Sequence, residues 1–331
     1  MLKTNFTTFV IMLVFVGCSS SGNAGQNRVG TGKWELLSSS YITDSTSLRP
    51  IKFFDQKNGI SLSVAIENTS DSGKTWKTVF YEENTAVAAG GFTSEQEGWV
   101  VGTEDLTRPL VMKTSDGGKS WSRIAFDNKS TEQLSGKVQV LWDICFDPNG
   151  RAWMLGETGI LHVEMGEKDL HLLNLFSTNQ ENSDRISCND SGDVWAIGRK
   201  GSIFHFHDGN WIKIKLDQGY SPSNVRSFGS DVWITGKNES GDGILLRSQD
   251  SGNTWQNKTP ESAKNLNDLF LKDGKGWLIG SEGSIYYTTD NGESWHKSLS
   301  PTTADLLNIY SLDSNNVWIS GDKATVLKYQ N

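Results

Sequence analysis

Short runs of β-forming residues alternate with turn residues along almost the whole chain. Within residues 266–299, the run LNDLFL is followed by the turn DGKG, and GWLIGS then turns through EG into SIYYTT. The turn DNGE leads to a fourth run that begins at Ser294 and Trp295. β-Formers separated by Gly, Asp and Asn turns predict a four-stranded antiparallel meander. One such sheet cannot bury both of its faces, so the pattern predicts several sheets packed against one another.

Two phrases recur along the chain with a regular spacing. The first is a turn that ends in Trp, and it occurs as TSDSGKTW at 69–76, TSDGGKSW at 114–121, SQDSGNTW at 248–255 and TTDNGESW at 288–295. The second is a Trp in a β-rich run that ends in Gly, and it occurs as GWVVG at 98–102, AWMLG at 152–156, VWAIG at 194–198, VWITG at 232–236, GWLIG at 276–280 and VWISG at 317–321. A repeat of about 43 residues is typical of the blades of a β-propeller.

The repeat predicts an all-β fold, a seven-bladed β-propeller of four-stranded antiparallel blades over residues 33–331. The repeating units begin near residues 51, 89, 142, 185, 224, 267 and 308. The last unit ends at Asn331 after its third strand, and KWELL at 33–37 can supply the missing fourth strand from the other end of the chain. This pairing closes the ring and leaves no open sheet edge.

The turn phrase resembles the Asp-box, also called the BNR repeat. Its Asp can accept hydrogen bonds from backbone N–H groups of the turn, and its Gly supplies a backbone with positive φ. We therefore expect a structural role, with each Trp packed between blades, because carboxylates on separate blades are too far apart to form an acid/base pair. The Asp-box residues are Asp71, Trp76, Asp116, Trp121, Asp250, Trp255, Asp290 and Trp295.

Trp142 belongs to neither Trp series. It falls at the start of a predicted innermost strand, beside Asp143, where side chains reach the central channel or its mouth. Corresponding first-strand positions carry Arg185, Arg226 and Asp268. An exposed Trp at the mouth is a contact platform for a partner, whereas core packing and a solvated polar lining are the alternatives. These five residues are the candidate partner-binding site.

Histidine and cysteine do not have the spacing of a metal site. His162 and His205 occupy one third-strand position that other blades fill with Lys, Arg or Tyr, so this position is predicted to face outward, and His207 lies two residues further on. No metal and no other cofactor are expected. Cys145 and Cys188 lie in the apolar runs DICF and RISC. An oxidising compartment allows a disulfide between them, but two small buried hydrophobic residues are the interpretation that the apolar surroundings favour.

The charge balance excludes some partners. The 331 residues include 31 basic and 39 acidic side chains, a net charge of −8, and no basic block. Nucleic acid is therefore not an expected partner, because phosphate binding needs a concentrated positive surface. The hydrophobic fraction of 36%, together with 34 glycines, is that of a folded globular chain.

Residues 1–17 are predicted to be a signal peptide, and residues 18–32 a flexible tether. Lys3 is the only charge before an apolar run that ends at Val16 and is followed by Gly17 and Cys18. The run is too short to span a bilayer. It resembles a bacterial lipoprotein signal, although Phe15 stands where Leu is usual. The resemblance implies an acylated Cys18 that anchors an exported protein on the periplasmic or lumenal face of a membrane, or at the cell surface. The alternative is an ordinary signal peptide that contains Cys.

The chain carries its Asp-boxes in register with the runs with Trp and a final Gly, which are called GW-type strands here. In this combination it resembles the photosystem II stability and assembly factor family of seven-bladed propellers. The resemblance covers residues 33–331 and implies a monomeric, non-enzymatic scaffold that binds a membrane-protein client, such as a photosystem II subunit or its precursor. Two departures are the incomplete boxes FDPNGRAW…MGEKD and FHFHDGNW in the third and fourth units.

Two further functions share the Asp-box. Sialidase-like glycoside hydrolases hold the sugar carboxylate with three arginines, whereas only Arg185 and Arg226 lie near innermost strands here, and LRPI at 48–51 does not match the sialidase Arg-Ile-Pro phrase. A glycan-binding surface lectin is the other alternative, because exposed Trp side chains also bind sugars. The scaffold needs no catalytic residue, and we expect none.

Overall fold

The computed structural model describes residues 32–37, 49–166, 168–178, 183–198, 201–216 and 219–330. The predicted signal peptide, Cys18 and the predicted tether as far as residue 31 lie outside these ranges. In the described part of the chain, no helix has the length and apolar character needed to cross a bilayer. Seven sheets account for the strands in these ranges, which confirms the seven-bladed propeller.

Each blade is a meander whose consecutive strands pair antiparallel. Blade 1 contains β2 Arg49–Phe53, β3 Gly59–Leu62, β4 Ala65–Thr69 and β5 Lys77–Tyr81. Blade 2 contains β6 Ala86–Phe92, β7 Gly98–Glu104, β8 Arg108–Thr114 and β9 Ser122–Arg123. Blade 3 contains β11 Leu141–Phe146, β12 Ala152–Gly156, β13 Gly159–Met165 and β14 Asp169–Ser177. Blades 4 and 5 contain β15 Ser183–Cys188, β16 Val194–Gly198, β17 Ser202–His207 and β18 Asn210–Lys215; and β19 Tyr220–Phe228, β20 Asp231–Asn238, β21 Gly243–Ser248 and β22 Gln256–Asn257. Blades 6 and 7 contain β23 Leu266–Lys272, β24 Lys275–Gly280, β25 Ile285–Thr288 and β26 His296–Ser298; and β27 Leu306–Ser311, β28 Val317–Gly321, β29 Thr325–Gln330 and β1 Lys33–Leu37.

The N-terminal strand completes the last blade. β1 pairs antiparallel with β29, with Trp34 opposite Tyr329 and Leu37 opposite Val326. The hydroxyl of Tyr329 also accepts a hydrogen bond of 2.9 Å from the backbone N–H of Gly32. This pairing confirms the predicted closure, which joins the two ends of the ring through one blade.

Blade 3 departs from the four-stranded pattern. A short strand, β10 (Ala125–Phe126), adds parallel to its outer strand, and helix α1 (Asn128–Leu134) follows. Asp127 caps the helix, because its carboxylate accepts a hydrogen bond of 2.6 Å from the N–H of Ser130. The long connection between blades 2 and 3 provides the residues for this addition.

The second strand of six blades carries a buried Trp that faces a side chain of the third strand. The facing side chains include cations, imidazole rings and a phenol, so the shared property is their contact with the indole face rather than their charge. The pairs are Trp99 with Lys113, Trp153 with His162, Trp195 with His205, Trp233 with Arg247, Trp277 with Tyr287 and Trp318 with Lys328.

This contact overturns one expectation about the third-strand position. It was predicted to face outward, but His205 is 3% exposed and Arg247 is 1% exposed. His205 stacks on Trp195 with ring centroids 3.7 Å apart. The prediction is wrong because a residue type that varies between blades can still be buried when its partner, an indole ring, accepts cations and flat rings alike.

Two of these Trp side chains touch the next blade at its Asp-box glycine. A Cβ on Gly292 of blade 6 would lie 2.5 Å from Trp233 of blade 5, and one on Gly252 of blade 5 would lie 2.8 Å from Trp195 of blade 4. Both glycines also have positive φ, 78° and 85°. Glycine is therefore required twice at this position, by the turn and by the contact between blades.

Aromatic rings take the place of this contact where the next blade lacks an Asp-box. Trp153 of blade 3 lies 4.7 Å from Phe206 and 5.6 Å from Trp211 of blade 4, measured between ring centroids. Trp277 of blade 6 lies 4.7 Å from Tyr329 of blade 7. The packing between blades thus continues around the ring through two kinds of contact.

Each Asp-box carboxylate binds the turn that contains it. In blade 2, Oδ1 of Asp116 accepts hydrogen bonds from the hydroxyl of Thr114 at 2.8 Å and the N–H of Ser120 at 3.0 Å, while Oδ2 accepts the Ser120 hydroxyl at 2.6 Å. The hydrogen bonds from Ser120 hold the pKa of Asp116 at about 2. Asp71, Asp250 and Asp290 make the same set of contacts.

Cys145 and Cys188 form a disulfide between the first strands of blades 3 and 4. Their Cα atoms are 5.6 Å apart, within the usual range for a disulfide. The interpretation as two separate buried thiols is therefore wrong. The sequence placed each Cys in an apolar strand, but only the packing of neighbouring blades brings the two strands together.

The Asp-box contacts predict a loss of stability in acid. A carboxylate with a folded pKa of about 2 stabilises the protein above its unfolded pKa of about 3.9, and this contribution disappears as the pH falls toward 2. Asp116→Asn removes the charge, so we expect about 1 kcal/mol lower unfolding free energy at pH 7 and a smaller loss between pH 4 and 2. Urea unfolding at several pH values measures both quantities. The control is Asp190→Asn in an exposed turn, and an equal effect there would contradict the assignment.

Reduction of the disulfide is expected to destabilise the folded chain. The bridge closes a loop with a sequence separation of 43 residues, which corresponds to a contribution of about 2–4 kcal/mol. The double variant Cys145→Ser, Cys188→Ser should unfold at a lower temperature than the oxidised protein and should not respond to reductant. Calorimetry with and without dithiothreitol measures this, and identical melting of oxidised and reduced protein would contradict it.

Candidate functional site

A β-bulge near the start of every first strand faces the same end of the propeller. In each blade, the first strand has one extra residue relative to the second strand. A bulge bends the strand and redirects a side chain. The extra residues are Pro50, Ala88, Trp142, Asp184, Ser223, Asn267 and Leu307.

The two faces of the ring differ. Because successive strands are antiparallel, the turns after the first and third strands lie on one face, which contains the Asp-boxes and is called the Asp-box face here. The bulges at the beginning of the first strands lie toward the opposite face, which is called the mouth face. The Asp-box turn of blade 1 contacts the turn after its first strand, since Ser72 N–H donates to the carbonyl of Lys57 at 2.9 Å.

A cavity of about 710 Å³ lies where the first strands converge, and Trp142 is in its wall. The charged residues in the wall are Lys52, Arg185, Arg226 and Asp143, a formal charge of +2, and the buried carboxylate of Asp268, which pairs with Arg226 behind the wall, lowers the charge of the whole group to +1. The chain as a whole carries −8. The fold therefore concentrates positive charge in a cavity of an acidic protein, where protein walls strengthen the field.

Asp143 connects blades 3 and 4 at the cavity. Its Oδ1 accepts a hydrogen bond from its neighbour Ile144 N–H at 2.9 Å, and its Oδ2 accepts one from Ile186 N–H in blade 4 at 3.1 Å. Burial raises the pKa of Asp143, an effect that Arg185 and Arg226 oppose. The carboxylate is thus used mainly to hold two first strands together.

Arg226 is held in place by Asp268. The Nε and Nη2 atoms of Arg226 donate to the two carboxylate oxygens of Asp268 at 2.9 and 2.8 Å. Burial acts to lower the pKa of Arg226, but Asp268 raises it. Asp268 also accepts hydrogen bonds from Asn224 Nδ2 at 2.7 Å and Ile309 N–H at 3.1 Å. Its carboxylate is fully buried beneath the cavity wall rather than on it, so Asp268 positions Arg226 and does not face a ligand.

Lys52 is a residue of the cavity that the sequence did not single out. Burial lowers its pKa to about 8, although the nearby Asp143 raises it and Arg226 lowers it further. The amine remains mostly protonated at neutral pH. No local pattern marks Lys52, because its importance depends on first strands from distant parts of the chain.

The pairing of first and second strands shows that Arg185 and Arg226 do not occupy equivalent positions in their blades, although the sequence predicts that they do. Arg185 pairs with Ile197, two residues after the blade Trp, and Asp143 and Asp268 have the equivalent pairing. In blade 5 this position is Asn224, and Arg226 lies two residues further along the strand. The two arginines are therefore at different depths, but both reach the wall because residues two apart share a strand face.

A second cluster of polar side chains lies on the Asp-box face of blade 4. Asp193, His205 and His207 place one ligand atom each within 4.8 Å of one another. His207 is exposed, and Asp193 raises its pKa. Burial lowers the pKa of His205. In the described part of the chain, this is the one group of three such side chains close enough to hold a metal ion.

Comparison with known proteins relates the sequence to one family. The family model described as "Photosynthesis system II assembly factor YCF48" matches residues 27–135. The photosystem II stability/assembly factor HCF136 of Arabidopsis thaliana is 34% identical over 59 residues, and that of Oryza sativa is 30% identical over 96 residues. These segments cover 16% and 28% of this chain and only 15% and 22% of the two relatives.

Solved structures share the fold over most of the chain. A structure described as "YCF48 bound to D1 peptide" has a TM-score of 0.71 at 21% identity and covers 90% of this chain and 95% of its own. YCF48 from Cyanidioschyzon merolae has a TM-score of 0.70 at 20% identity over 90% and 98% of the two chains. Virginiamycin B lyase from Staphylococcus aureus has a TM-score of 0.70 at 14% identity over 90% and 99%. At these identities, the structural matches establish the propeller fold alone.

The family model and the curated relatives are similar to this chain in sequence, and the YCF48 structures are similar to it in fold. All of these comparisons lead to the same group of proteins. The resemblance predicted from the Asp-boxes and the GW-type strands is confirmed: this chain is similar to the photosystem II stability and assembly factors with a seven-bladed propeller.

Proposed function

We propose that this chain is a non-enzymatic assembly factor that binds an exposed segment of a membrane-protein client at the mouth face. The observation that carries the proposal is the cavity with a formal charge of +2 that also contains Trp142. The sequence similarity to photosystem II assembly factors supports a photosystem II subunit as the client. One YCF48 structure is described as bound to a D1 peptide, which makes D1 the first client to test.

The chemistry of the cavity favours a peptide with a carboxylate. Arg226 is preorganised by Asp268, so little side-chain entropy is lost when it binds an anion. Lys52 and Arg185 add further positive charge, against the carboxylates of Asp143 in the wall and of Asp268 behind it. Trp142 offers a flat apolar surface beside these cations, as aromatic residues do at many binding sites. A chain terminus or an acidic side chain next to an apolar residue fits this combination.

The same residues do not favour hydrolysis of a sugar. Among the described residues of the cavity wall there are two arginines, Arg185 and Arg226, whereas the sialidase arrangement uses three. Asp143 and Asp268 are engaged in bonds between blades. The streptogramin and virginiamycin B lyases share only the fold, at 13–14% identity. The scaffold is therefore the function that the site supports best.

Lipid anchoring is part of the proposal. Cys18 follows an apolar run and a Gly in the order of a bacterial lipoprotein signal. Acyl chains on Cys18 would hold the propeller near membrane-protein clients, and the residues from 19 to 32 would allow it to turn toward them. The protein would then act on the exported side of the membrane.

Substitutions at the cavity should weaken binding of a synthetic D1 peptide. We expect Trp142→Ala and Arg185→Gln each to raise the dissociation constant at least about tenfold, which corresponds to 1.4 kcal/mol. Added salt should weaken the wild-type complex, because part of the attraction is between charges. Fluorescence anisotropy with labelled peptide measures these constants.

Matched surface variants provide the control. Arg108→Gln and Leu106→Ala change side chains that are exposed and lie outside the cavity wall, so both should bind like the wild type. Equal losses in these variants, or wild-type binding by Trp142→Ala and Arg185→Gln, would exclude the mouth face as the site. Affinity purification from native membranes tests the client itself. Enrichment of photosystem II subunits would support the photosystem II client. Recovery of another envelope complex would keep the scaffold but replace this client, and recovery of no partner protein would contradict the scaffold.

Anchoring has its own test. Cys18→Ser should abolish incorporation of labelled palmitate and move the protein from the membrane to the soluble fraction, because the thiol that carries the lipid is absent. Ser21→Ala should retain both properties. Labelled lipid on the Cys18→Ser variant, or an unlabelled wild type, would contradict the lipoprotein assignment.

A further inference from the structure

Three side chains of blade 4 converge on one point of the Asp-box face. Oδ1 of Asp193 lies 2.5 Å from Nδ1 of His207 and 3.5 Å from Nε2 of His205. Nε2 of His207 also lies 3.4 Å from a carboxylate oxygen of Asp208. Asp193 stands in the turn before β16, and both histidines are on β17 two residues apart, so they share one face of the strand.

His205 has a buried nitrogen without a hydrogen-bond partner. The residue is 3% exposed, and Nε2 makes no hydrogen bond of normal geometry, with the carboxylate of Asp193 3.5 Å away. A buried polar atom of this kind is costly unless something binds it. The nitrogen points toward Asp193 and His207, and Trp195 stacks on the ring and fixes its orientation. The unpartnered nitrogen is therefore directed into the cluster.

The cluster replaces an Asp-box. In blades 1, 2, 5 and 6, the turn between the third and fourth strands is held by the carboxylate of the box. Blade 4 has HDGNW at 207–211 instead. His207 is at the beginning of this turn, and Asp193 reaches it from the neighbouring turn. The cluster thus joins the two turns on this face of blade 4, which in blade 1 are joined by the hydrogen bond from Ser72 N–H to the carbonyl of Lys57.

Blade 3 provides an internal comparison. His162 stacks on Trp153 just as His205 stacks on Trp195, at the same register position. However, the residue two positions before the Trp is Arg151 rather than Asp, and the residue two positions after the His is Glu164. A guanidinium at the position of Asp193 repels a cation. Blade 3 therefore shares the stacked histidine and its unpartnered Nε2, which lies 3.7 Å from the carboxylate of Asp147. That carboxylate is paired with Arg151, and only blade 4 adds a second histidine to the set among the described residues.

We propose that Asp193, His205 and His207 bind a divalent transition-metal ion of the zinc type. Two imidazoles and one carboxylate suit this class, with a water in the fourth position on the open side at His207. Metal–ligand bonds of about 2.0–2.1 Å place tetrahedral ligand atoms roughly 3.3 Å apart. The separation of 3.5 Å from Asp193 to His205 already fits. The distance of 2.5 Å between Asp193 and His207 must increase, and the ligand nitrogens of the two histidines, which lie within 4.8 Å of each other, must settle near the tetrahedral spacing. The exposed His207 side chain allows both movements.

Binding of the ion exchanges protons for metal bonds. A proton on Nδ1 of His207 would move to Nε2 of the same ring or be released to solvent, and a proton on Nε2 of His205 would move to its Nδ1 or be released, so that both imidazoles bind the metal through a lone pair. The ion then links the turn before β16 with β17, a connection between turns that the backbone of the Asp-box turn provides in blades 1 and 2. The site lies on the Asp-box face, so it is separate from the proposed client site at the mouth face.

Calorimetric titration of the untagged full chain with ZnCl₂ tests the proposal. After removal of metal with EDTA, we expect one Zn²⁺ per chain and a rise in melting temperature that grows with the free metal concentration. Cobalt should give the visible absorption of a tetrahedral site. The absence of saturable binding at one equivalent, or a spectrum without tetrahedral bands, would overturn the proposed coordination.

Variants assign the site to the three ligands. His207→Ala changes an exposed side chain, so it should fold normally and weaken Zn²⁺ binding at least about tenfold. Asp193→Asn should weaken it similarly. His162→Gln is the matched control, because it removes the Trp-stacked histidine of blade 3, and it should bind like the wild type. Unchanged affinity in His207→Ala, or an equal loss in His162→Gln, would show that the cluster does not hold the ion.

Discussion

The contact between a second-strand Trp and the next blade is the interaction on which the ring depends. One face of the indole is covered by a third-strand side chain of its own blade, as in the pair Trp233 and Arg247. Its edge meets the following blade, either at the Asp-box glycine, as Trp233 meets Gly292, or at an aromatic ring, as Trp277 meets Tyr329. Burial of such a large apolar side chain contributes about 2–3 kcal/mol relative to leaving it exposed. Because the contact repeats around the ring, each blade is stabilised by its neighbour rather than alone.

This dependence explains why the Asp-box has so many specified residues. Asp116 binds the turn, the turn presents Gly118 with positive φ, and Gly118 lies close to Ile60 of the preceding blade. A larger residue than Gly would meet the neighbouring blade before the sheets reached their packing distance. Blades 4 and 7 lack the box and fill the same space with rings such as Trp211 and Tyr329. Two local solutions therefore satisfy one packing requirement.

A rigid ring allows its two faces to take different roles. Toward the mouth face, the first strands bring the bulge residue Trp142 and three cations around one cavity, and Asp268 holds Arg226 from beneath. On the other face, blade 4 lacks an Asp-box and instead brings Asp193, His205 and His207 close together. Both sites are built on strands and short turns, which hold side chains more precisely than long loops.

The sequence by itself determined the number of blades, the strand order, the closing strand at residues 33–37 and the structural nature of the Asp-boxes, because these follow from local periodicity and turn chemistry. It also placed Trp142 outside the packing series. It did not identify Lys52, the disulfide between Cys145 and Cys188, or the burial of His205. Those features depend on contacts between residues that lie far apart along the chain or in neighbouring strands. Only the tertiary structure brings first strands from seven blades to one axis, and that convergence determines the charge of the cavity and the partners of each side chain.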